Sequence, residues 1–180
     1  MRYAQIRSLD ISNGEGCGVA LFVQGCPFHC YNCFNPDTWD FNGGKEWTKE
    51  TKNKFLTLID RPYIKRVSLL GGECLAEQNL DGVLDLVREI RISFPKKAIW
   101  LYTGYQISEI VKQEQYEKVS GIPDIWSKRW EIISNVDVLV DGEYIDEERD
   151  VTLKWRGSSN QHVIEVQQSL AQNKLVLYCD

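Results

Sequence analysis

The sequence predicts an α/β fold in which a mostly parallel sheet forms an open, partial barrel. Short apolar segments alternate with longer segments of helical periodicity, a pattern typical of parallel strands joined by right-handed helical crossovers. Four of the apolar segments end in a loop that carries glycine or cysteine. A closed eight-stranded barrel usually needs about 200 residues or more, and this chain has 180. We therefore expect one domain, residues 1–180, built on an incomplete barrel.

The strands and helices can be assigned in chain order. Four segments have the apolar composition of buried strands: residues 18–25, 66–70, 98–102 and 136–140. Helical periodicity predicts helices from Thr48, from about residue 80 to 94, from about Ile107 and from residue 125 to 134. Two weaker strand candidates, residues 162–166 and 174–179, lie near the C-terminus.

Residue types at the ends of these segments support the assignment. Thr48 is a favoured helix N-cap and precedes apolar residues that share one helical face. Pro95 ends the second helix, because the residue before a proline disfavours helical geometry. Residues 121–124 predict a turn, and we expect residues 119–130 to form a surface insertion.

The carboxyl ends of the predicted strands carry the candidate functional groups. In a parallel sheet these ends lie at one edge, where ligands of such folds gather. The groups that follow the four strands are the cysteine loop, Gly71-Gly72-Glu73, Thr103-Gly104 and Asp141-Gly142. We therefore expect all four groups on one face of the molecule.

Composition excludes several classes of protein. The chain is 43% hydrophobic and 26% charged, with a net charge of −5, which argues against a dedicated nucleic-acid-binding protein. No segment approaches the roughly 20 apolar residues of a membrane span, and the first ten residues have no apolar signal-peptide core. We therefore expect a cytoplasmic protein, in which clustered cysteines are metal ligands or catalysts more often than disulfides.

Three cysteines are crowded into one loop. Cys26, Cys30 and Cys33 lie within eight residues, whereas the other cysteines are scattered singly. Buried structural thiols do not require such spacing. A structural zinc site requires four converging ligands, and His29, the nearest further donor, lies awkwardly between two of the cysteines. A [4Fe–4S] cluster held by three thiolates would keep one iron open for a cofactor. All three interpretations are compatible with the loop alone.

The remaining motifs resemble one family. CxxxCxxC is the spacing of the radical S-adenosylmethionine superfamily, and within it the chain resembles the activating proteins of anaerobic (class III) ribonucleoside-triphosphate reductases. The matching segments are NGEGC, LFVQGCPFHCYNCFNPDTW, LLGGECL, IWLYTGY, VDVLVDGEY and LKWRGSSNQ. They occur in the family's order from about residue 10 to about residue 166. One departure is Cys74, which stands where the family usually has a proline.

The resemblance implies a set of binding residues. Cys26, Cys30 and Cys33 would ligate a [4Fe–4S] cluster whose open iron binds S-adenosyl-L-methionine. Gly71, Gly72 and Glu73 would bind the amino group of its methionine part. Three further residues are candidates for cofactor binding: Thr103 near the nucleoside, Asp141 at the ribose and Arg156 at the methionine carboxylate. Each also has a structural alternative. Thr103 could belong to a plain turn, Asp141 could cap the next turn, and Arg156 could lie in a solvated turn.

The resemblance also implies an activity. Reductive cleavage of S-adenosylmethionine would yield a 5′-deoxyadenosyl radical, which generates a glycyl radical on the large subunit of the anaerobic ribonucleoside-triphosphate reductase. A low-potential electron donor such as flavodoxin would supply the electron, and neither nucleic acid nor membrane would be a partner. The alternatives are an activase of another glycyl-radical enzyme (pyruvate formate-lyase type), a small-molecule radical enzyme, and a zinc-binding interaction module.

Overall fold

In a computed structural model, which describes residues 1–120 and 124–179, the chain forms one sheet with its helices packed on one face. The strands are β1 (Arg2–Asp10), β2 (Gly18–Val23), β3 (Lys45–Glu46), β4 (Arg66–Gly71), β5 (Ala98–Tyr102), β6 (Val138–Asp141), β7 (His162–Glu165) and β8 (Leu177–Cys179). The helices are α1 (Lys49–Ile59), α2 (Glu77–Ser93), α3 (Ile107–Ser120), α4 (Ile125–Ser134) and α5 (Val166–Gln172). The strand order is β3-β1-β2-β4-β5-β6-β7-β8.

The centre of the sheet is parallel. Strands β2, β4, β5 and β6 pair in parallel, which confirms the expected mostly parallel central sheet. On one side β1 pairs antiparallel with both β2 and β3, and on the other β7 pairs antiparallel with both β6 and β8. The sheet does not close, because β3 and β8 form its two edges.

Three features of the sheet differ from the expectation. Strand β1 was not predicted, because its buried and exposed residues do not alternate. Strands β7 and β8 form at the C-terminal candidates but run antiparallel to their neighbours. For β7 the reason is that segment 142–161, which joins it to β6, contains no α-helix that would carry the chain back across the sheet. Strand β6 begins at Val138 instead of Val136, whose amide donates to the carbonyl of Ile133 at the end of α4.

The two faces of the sheet are covered differently. Leu21 of β2 faces the helices and joins the main core, whereas Phe22 faces the opposite side. Every residue of β2 is buried, which explains its continuous apolar sequence. On the face without helices, Trp155 of segment 142–161 packs edge-on against Trp100 of β5, with ring centroids 5.0 Å apart. A loop segment, and not a layer of helices, therefore covers this second face.

The helix ends agree with the signals in the sequence. Thr48 caps α1, since its side chain accepts a hydrogen bond of 3.2 Å from the amide of Thr51. Helix α2 ends two residues before Pro95, and α4 has the predicted bounds. Of the turn expected at residues 121–124, residues 121–123 lie outside the described part of the chain. Within the described ranges, no helix combines the length and the apolar character that crossing a membrane requires.

The expectation of a surface insertion at residues 119–130 is wrong for its second half. Residues from Ile125 onward open helix α4, which packs on α2. Trp130 packs against the main core and Arg129 is buried. This half of the segment is therefore part of the packed structure. Residues 121–123, in its first half, lie outside the described ranges.

A buried ion pair lies at the amino edge of the parallel strands. Arg66, the first residue of β4, donates to the Asp10 carboxylate at 2.8 Å, and both side chains are 1% exposed. The same guanidinium donates to the backbone carbonyls of Asp10, Glu15 and Gly16, so the glycine-rich loop after β1 wraps around it. Burial raises the pKa of Asp10, but hydrogen bonds from Arg66 and Asn13 outweigh it and hold that pKa below its usual value.

We expect Asp10→Asn to lower the free energy of unfolding by about 3–5 kcal/mol at neutral pH, because it leaves the Arg66 charge buried without its counter-charge. The loss should shrink as the pH falls below about 4, since a carboxylate with a depressed pKa stabilises the fold only while it is ionised. Urea unfolding without oxygen at several pH values measures both effects. The exposed Asp60→Asn is the control, and equal stability of the two variants would contradict the prediction.

Candidate functional site

The end of β4 is hydrogen-bonded to the start of the cysteine loop. The amide of Gly72 donates to the carbonyl of Val23 at 2.9 Å, and the amide of Glu73 donates to the carbonyl of Gly25 at 2.8 Å. A Cβ atom on Gly72 would lie 2.5 Å from the Gly25 carbonyl oxygen, closer than real contacts allow. Glycine is therefore required at position 72, because the two loops touch through their backbones.

The Glu73 carboxylate joins the ends of β4 and β5. Its side chain is 2% exposed. Oε1 accepts hydrogen bonds from the Leu75 amide and the Thr103 hydroxyl, both at 2.7 Å, and Oε2 accepts one from the Gly104 amide at 2.8 Å. Burial raises the pKa of Glu73, and these three donors together with the charge of Arg129 oppose that rise. Glu73 and Thr103, predicted separately from two motifs, thus form one hydrogen-bonded unit.

The cysteine loop makes two sharp turns. His29 and Asn32 have positive φ angles of 52° and 54°, which reverse the chain between the thiols. Cys26, Cys30 and Cys33 are half-buried and free of disulfides. Burial raises the pKa of Cys26 to about 11 and also raises that of Cys30. Iron binding would have to displace these protons, as metal binding to thiols ordinarily does.

Cys74 lies beneath the loop. It is fully buried, and burial raises the pKa of its thiol, with further contributions from the charges of Glu73 and Cys26. The packing of Cys74 in the main core distinguishes it from the half-buried cysteines of the loop above it. We expect no ligand role for Cys74.

The donor set fits a cluster better than a zinc ion. The loop supplies three thiols, those of Cys26, Cys30 and Cys33. A structural zinc site takes four ligands, whereas three thiolates can hold a [4Fe–4S] cluster and leave one iron open to a cofactor. Three free thiols in one short loop therefore suit such a cluster.

Unpaired polar atoms next to this region fit a polar cofactor. Buried side-chain atoms without a hydrogen-bond partner in the described structure include the Tyr102 hydroxyl, Arg156 Nε and Asn160 Oδ1. Buried polar atoms are rarely left unpaired in proteins. Arg156 and Asn160 belong to segment 142–161, which covers the face without helices. The Tyr102 hydroxyl on that face is influenced by the charges of Arg66 and Asp10 at the amino edge of the strands, so it is not part of this region. A ligand with carboxylate and hydroxyl groups is complementary to the Arg156 and Asn160 atoms.

Segment 142–161 also contacts the cysteine loop. The Asn32 side chain donates to Asp146 at 2.9 Å, and the rings of Phe34 and Tyr144 pack edge-on with centroids 5.2 Å apart. A Cβ atom on Gly157 would lie 2.9 Å from both rings. The RGSSNQ motif is therefore held beside the cysteine loop.

Asp141 is buried and both of its oxygens are engaged. Oδ2 accepts from the amide of Ile107, the first residue of α3, and Oδ1 lies 2.9 Å from His162 Nδ1. The carboxylate therefore caps the start of α3 and pairs with His162. These contacts favour the capping alternative for Asp141 over direct contact with a ribose.

Arg129 is the functional candidate that the sequence analysis missed. From α4 its Nε donates to the Leu75 carbonyl at 2.9 Å and its Nη2 donates to the Tyr105 hydroxyl at 2.9 Å. One signal was available: Trp126, Arg129 and Ile133 share one face of α4, so a charged residue occupies a position on the apolar stripe. Such a position indicates a buried, partnered charge.

Comparisons with known proteins agree on one family. The family model described as "4Fe-4S single cluster domain" matches residues 12–164. The anaerobic ribonucleoside-triphosphate reductase-activating protein of Vibrio cholerae is 37% identical over 163 residues, which cover 89% of this chain and 96% of that protein. Proteins of the same name from Escherichia coli K12 and Enterobacteria phage T4 are 36% and 35% identical over 165 residues, 91% of this chain and 97% and 93% of theirs.

We expect Thr103→Val to lower the free energy of unfolding by about 1.5–3 kcal/mol, because it removes a donor to a buried carboxylate, and the acceptor of the Tyr105 amide, with little change in side-chain volume. Urea unfolding without oxygen measures the loss. Thr57→Val is the matched control, since Thr57 is exposed on α1 and its hydroxyl bonds only to the Asn53 carbonyl within the helix. Equal stability of the two variants would show that the Thr103 hydroxyl does not support Glu73.

Proposed function

This chain belongs to the family of anaerobic ribonucleoside-triphosphate reductase-activating proteins, and on that premise we propose that it generates a glycyl radical on the large subunit of that reductase. The observation that carries the proposal is the direct hydrogen bonding of the Gly-Gly-Glu turn to the cysteine loop. This contact brings a cofactor-binding turn beside three free thiols. The relatives compared above all bear the name of reductase-activating proteins, which favours this activity over the alternatives, an activase of another glycyl-radical enzyme and a small-molecule radical enzyme.

Cys26, Cys30 and Cys33 would hold the [4Fe–4S] cluster as thiolates, with S-adenosylmethionine at the iron that no cysteine ligates. When bound, these groups supply one-electron chemistry, namely reductive cleavage of the sulfonium bond to a 5′-deoxyadenosyl radical that takes a hydrogen atom from a glycine. The chain's own residues bind and orient these groups. The fold would accordingly be the open partial barrel of the radical S-adenosylmethionine type, formed by one domain.

Glu73 would accept a hydrogen bond from the ammonium group of the cofactor. Each carboxylate oxygen accepts up to two hydrogen bonds. In the described structure Oε1 accepts two, whereas Oε2 accepts only that of Gly104. One acceptor position therefore remains on Oε2 for a charge-assisted bond. Gly71 and Gly72 would contribute to the cofactor site through their backbones, since the space that their Cβ atoms would take is filled by Phe22 and by the Gly25 carbonyl.

Arg156 and Thr103 would complete the cofactor site in different ways. The unpaired Nε of Arg156 suits the methionine carboxylate, because a guanidinium forms strong hydrogen bonds with carboxylates. Thr103 would act through Glu73, which it holds by its hydroxyl. Asp141 would fix the start of α3 beside the site through its bond to the Ile107 amide.

The partner would close the site during the reaction. Two aromatic residues of the cysteine loop, Tyr31 and Phe34, are 74% and 62% exposed, which is typical of a contact surface. A radical must be shielded from water and solutes, so we propose that the reductase inserts its glycine-bearing segment at this loop. A low-potential donor such as flavodoxin would supply electrons in the cytoplasm, with no nucleic acid or membrane involved.

Replacing Cys26, Cys30 or Cys33 with alanine should abolish both the iron–sulfur absorbance and the cleavage of S-adenosylmethionine, because each removes one of three ligands. Iron analysis and visible spectra of protein reconstituted without oxygen measure the effect. Cys17→Ser, Cys74→Ser and Cys179→Ser are the matched controls and should retain about four irons per chain. Loss of iron from the Cys74→Ser protein would contradict the three-ligand assignment.

The activity itself is tested by mixing the reconstituted protein, a reductant, S-adenosylmethionine and the large reductase subunit without oxygen. We expect the EPR doublet of a glycyl radical on the reductase, which should disappear when its target glycine is replaced by alanine. A peptide that spans this glycine should react far more slowly than the whole reductase if docking uses additional surface. Cofactor cleavage with no radical on the reductase would overturn the proposed function.

A further inference from the structure

We propose that Arg129 is a positioning residue for S-adenosylmethionine: it holds the Gly-Gly-Glu turn in its binding geometry. This inference rests on the proposed function, in which Glu73 binds the ammonium group of the cofactor. Arg129 lies on α4, whereas the groups it contacts follow β4 and β5.

The backbone of Leu75 is held at both of its polar groups. Its amide donates to Glu73 Oε1 at 2.7 Å, and its carbonyl, in the next peptide group, accepts from Arg129 Nε at 2.9 Å. Displacement of Leu75 would therefore break a bond to the Glu73 carboxylate. Arg129 restrains the residue whose amide orients Glu73, and it does so from helix α4.

The Arg129 guanidinium also fixes the turn that follows β5. It lies 4.3 Å from the ring centroid of Tyr105 and 4.2 Å from that of Trp126, and its Nη2 donates to the Tyr105 hydroxyl at 2.9 Å. Tyr105 in turn packs edge-on against Phe28 of the cysteine loop, with centroids 5.0 Å apart. One side chain thus connects the Gly-Gly-Glu turn, the Thr-Gly-Tyr turn and the cysteine loop.

A purely structural role does not require a charge at this position. Arg129 is 6% exposed, and burial of a cation is unfavourable unless other charges and hydrogen bonds compensate it. Both of its recorded hydrogen bonds go to neutral oxygens. The charge of Arg129 also acts on Glu73: burial raises the pKa of this carboxyl, and the Arg129 charge is among the influences that lower it.

Loss of Arg129 should therefore weaken cofactor binding without removing the cluster. The three proposed cysteine ligands lie on a different loop, which Arg129 reaches indirectly, through Tyr105 and Phe28 and through the Gly-Gly-Glu turn. We expect Arg129→Met to keep about four irons per chain and to raise the dissociation constant of S-adenosylmethionine roughly ten- to a hundredfold, as loss of a charged hydrogen-bonding group typically does. Arg129→Lys should give a smaller rise, because it keeps the charge but not the planar fork.

The measurement is an anaerobic titration of the reduced, reconstituted protein with S-adenosylmethionine, followed by EPR of the cluster. Arg88→Met is the matched control. Arg88 is exposed on α2 and pairs with Glu131 of α4, the helix that also carries Arg129. Its dissociation constant should equal that of the unsubstituted protein. An unchanged dissociation constant in Arg129→Met, with full iron content, would overturn the inference and leave the proposed function intact. If Arg129→Met does not fold, Arg129→Lys is titrated instead. A rise in its dissociation constant supports the inference, and an unchanged dissociation constant overturns it.

A double-mutant cycle separates positioning from general stability. If Arg129 acts through Glu73, Arg129→Met should add little to the loss already caused by Glu73→Gln. Losses that multiply would show independent action and overturn the inference. An unchanged dissociation constant in Glu73→Gln alone would remove Glu73 from the site, and this inference with it. Formation of the glycyl radical by the unsubstituted protein is measured separately. Failure of the proposed activase function can therefore be distinguished from failure of the inference about Arg129.

Discussion

The candidate site depends on one buried carboxylate. Glu73 lies among backbone and hydroxyl donors from the ends of two adjacent strands, and each donor also belongs to a motif of the site. Burial of an ionised group is tolerated only where such donors are already in place. The Gly-Gly-Glu and Thr-Gly-Tyr turns are therefore constrained together, and the direct backbone contact of Gly72 with Gly25 extends this constraint to the cysteine loop.

Buried charge is found at both edges of the parallel strands, with different consequences. At the amino edge, Arg66 and Asp10 form a closed pair that the glycine-rich loop surrounds, so their hydrogen bonds stabilise the fold. At the carboxyl edge, Glu73 retains an acceptor position and Arg156 Nε has no partner in the described structure. This division follows the rule that ligands of parallel sheets bind beyond the carboxyl ends of the strands.

The open sheet suits a macromolecular substrate. Antiparallel strands flank the parallel centre on both sides, and segment 142–161 covers the face that lacks helices. This segment contacts the cysteine loop, where Tyr31 and Phe34 are exposed. A small sheet of this kind can offer a cofactor at its rim without enclosing it. Enclosure by a partner would then link radical formation to docking.

The sequence by itself determined the elements whose signals are local. The cysteine spacing, the bounds of β5 and α4, the Thr48 cap and the arrangement of four motifs on one face all follow from neighbouring residues and from the geometry of parallel strands. Only the tertiary structure decided the antiparallel edges, the hydrogen bond from Thr103 to Glu73 and the burial of Arg129 within an expected surface insertion. These features join residues that are distant in the chain. A charged side chain by itself predicts a surface position, because only folding brings together the partners that allow its burial.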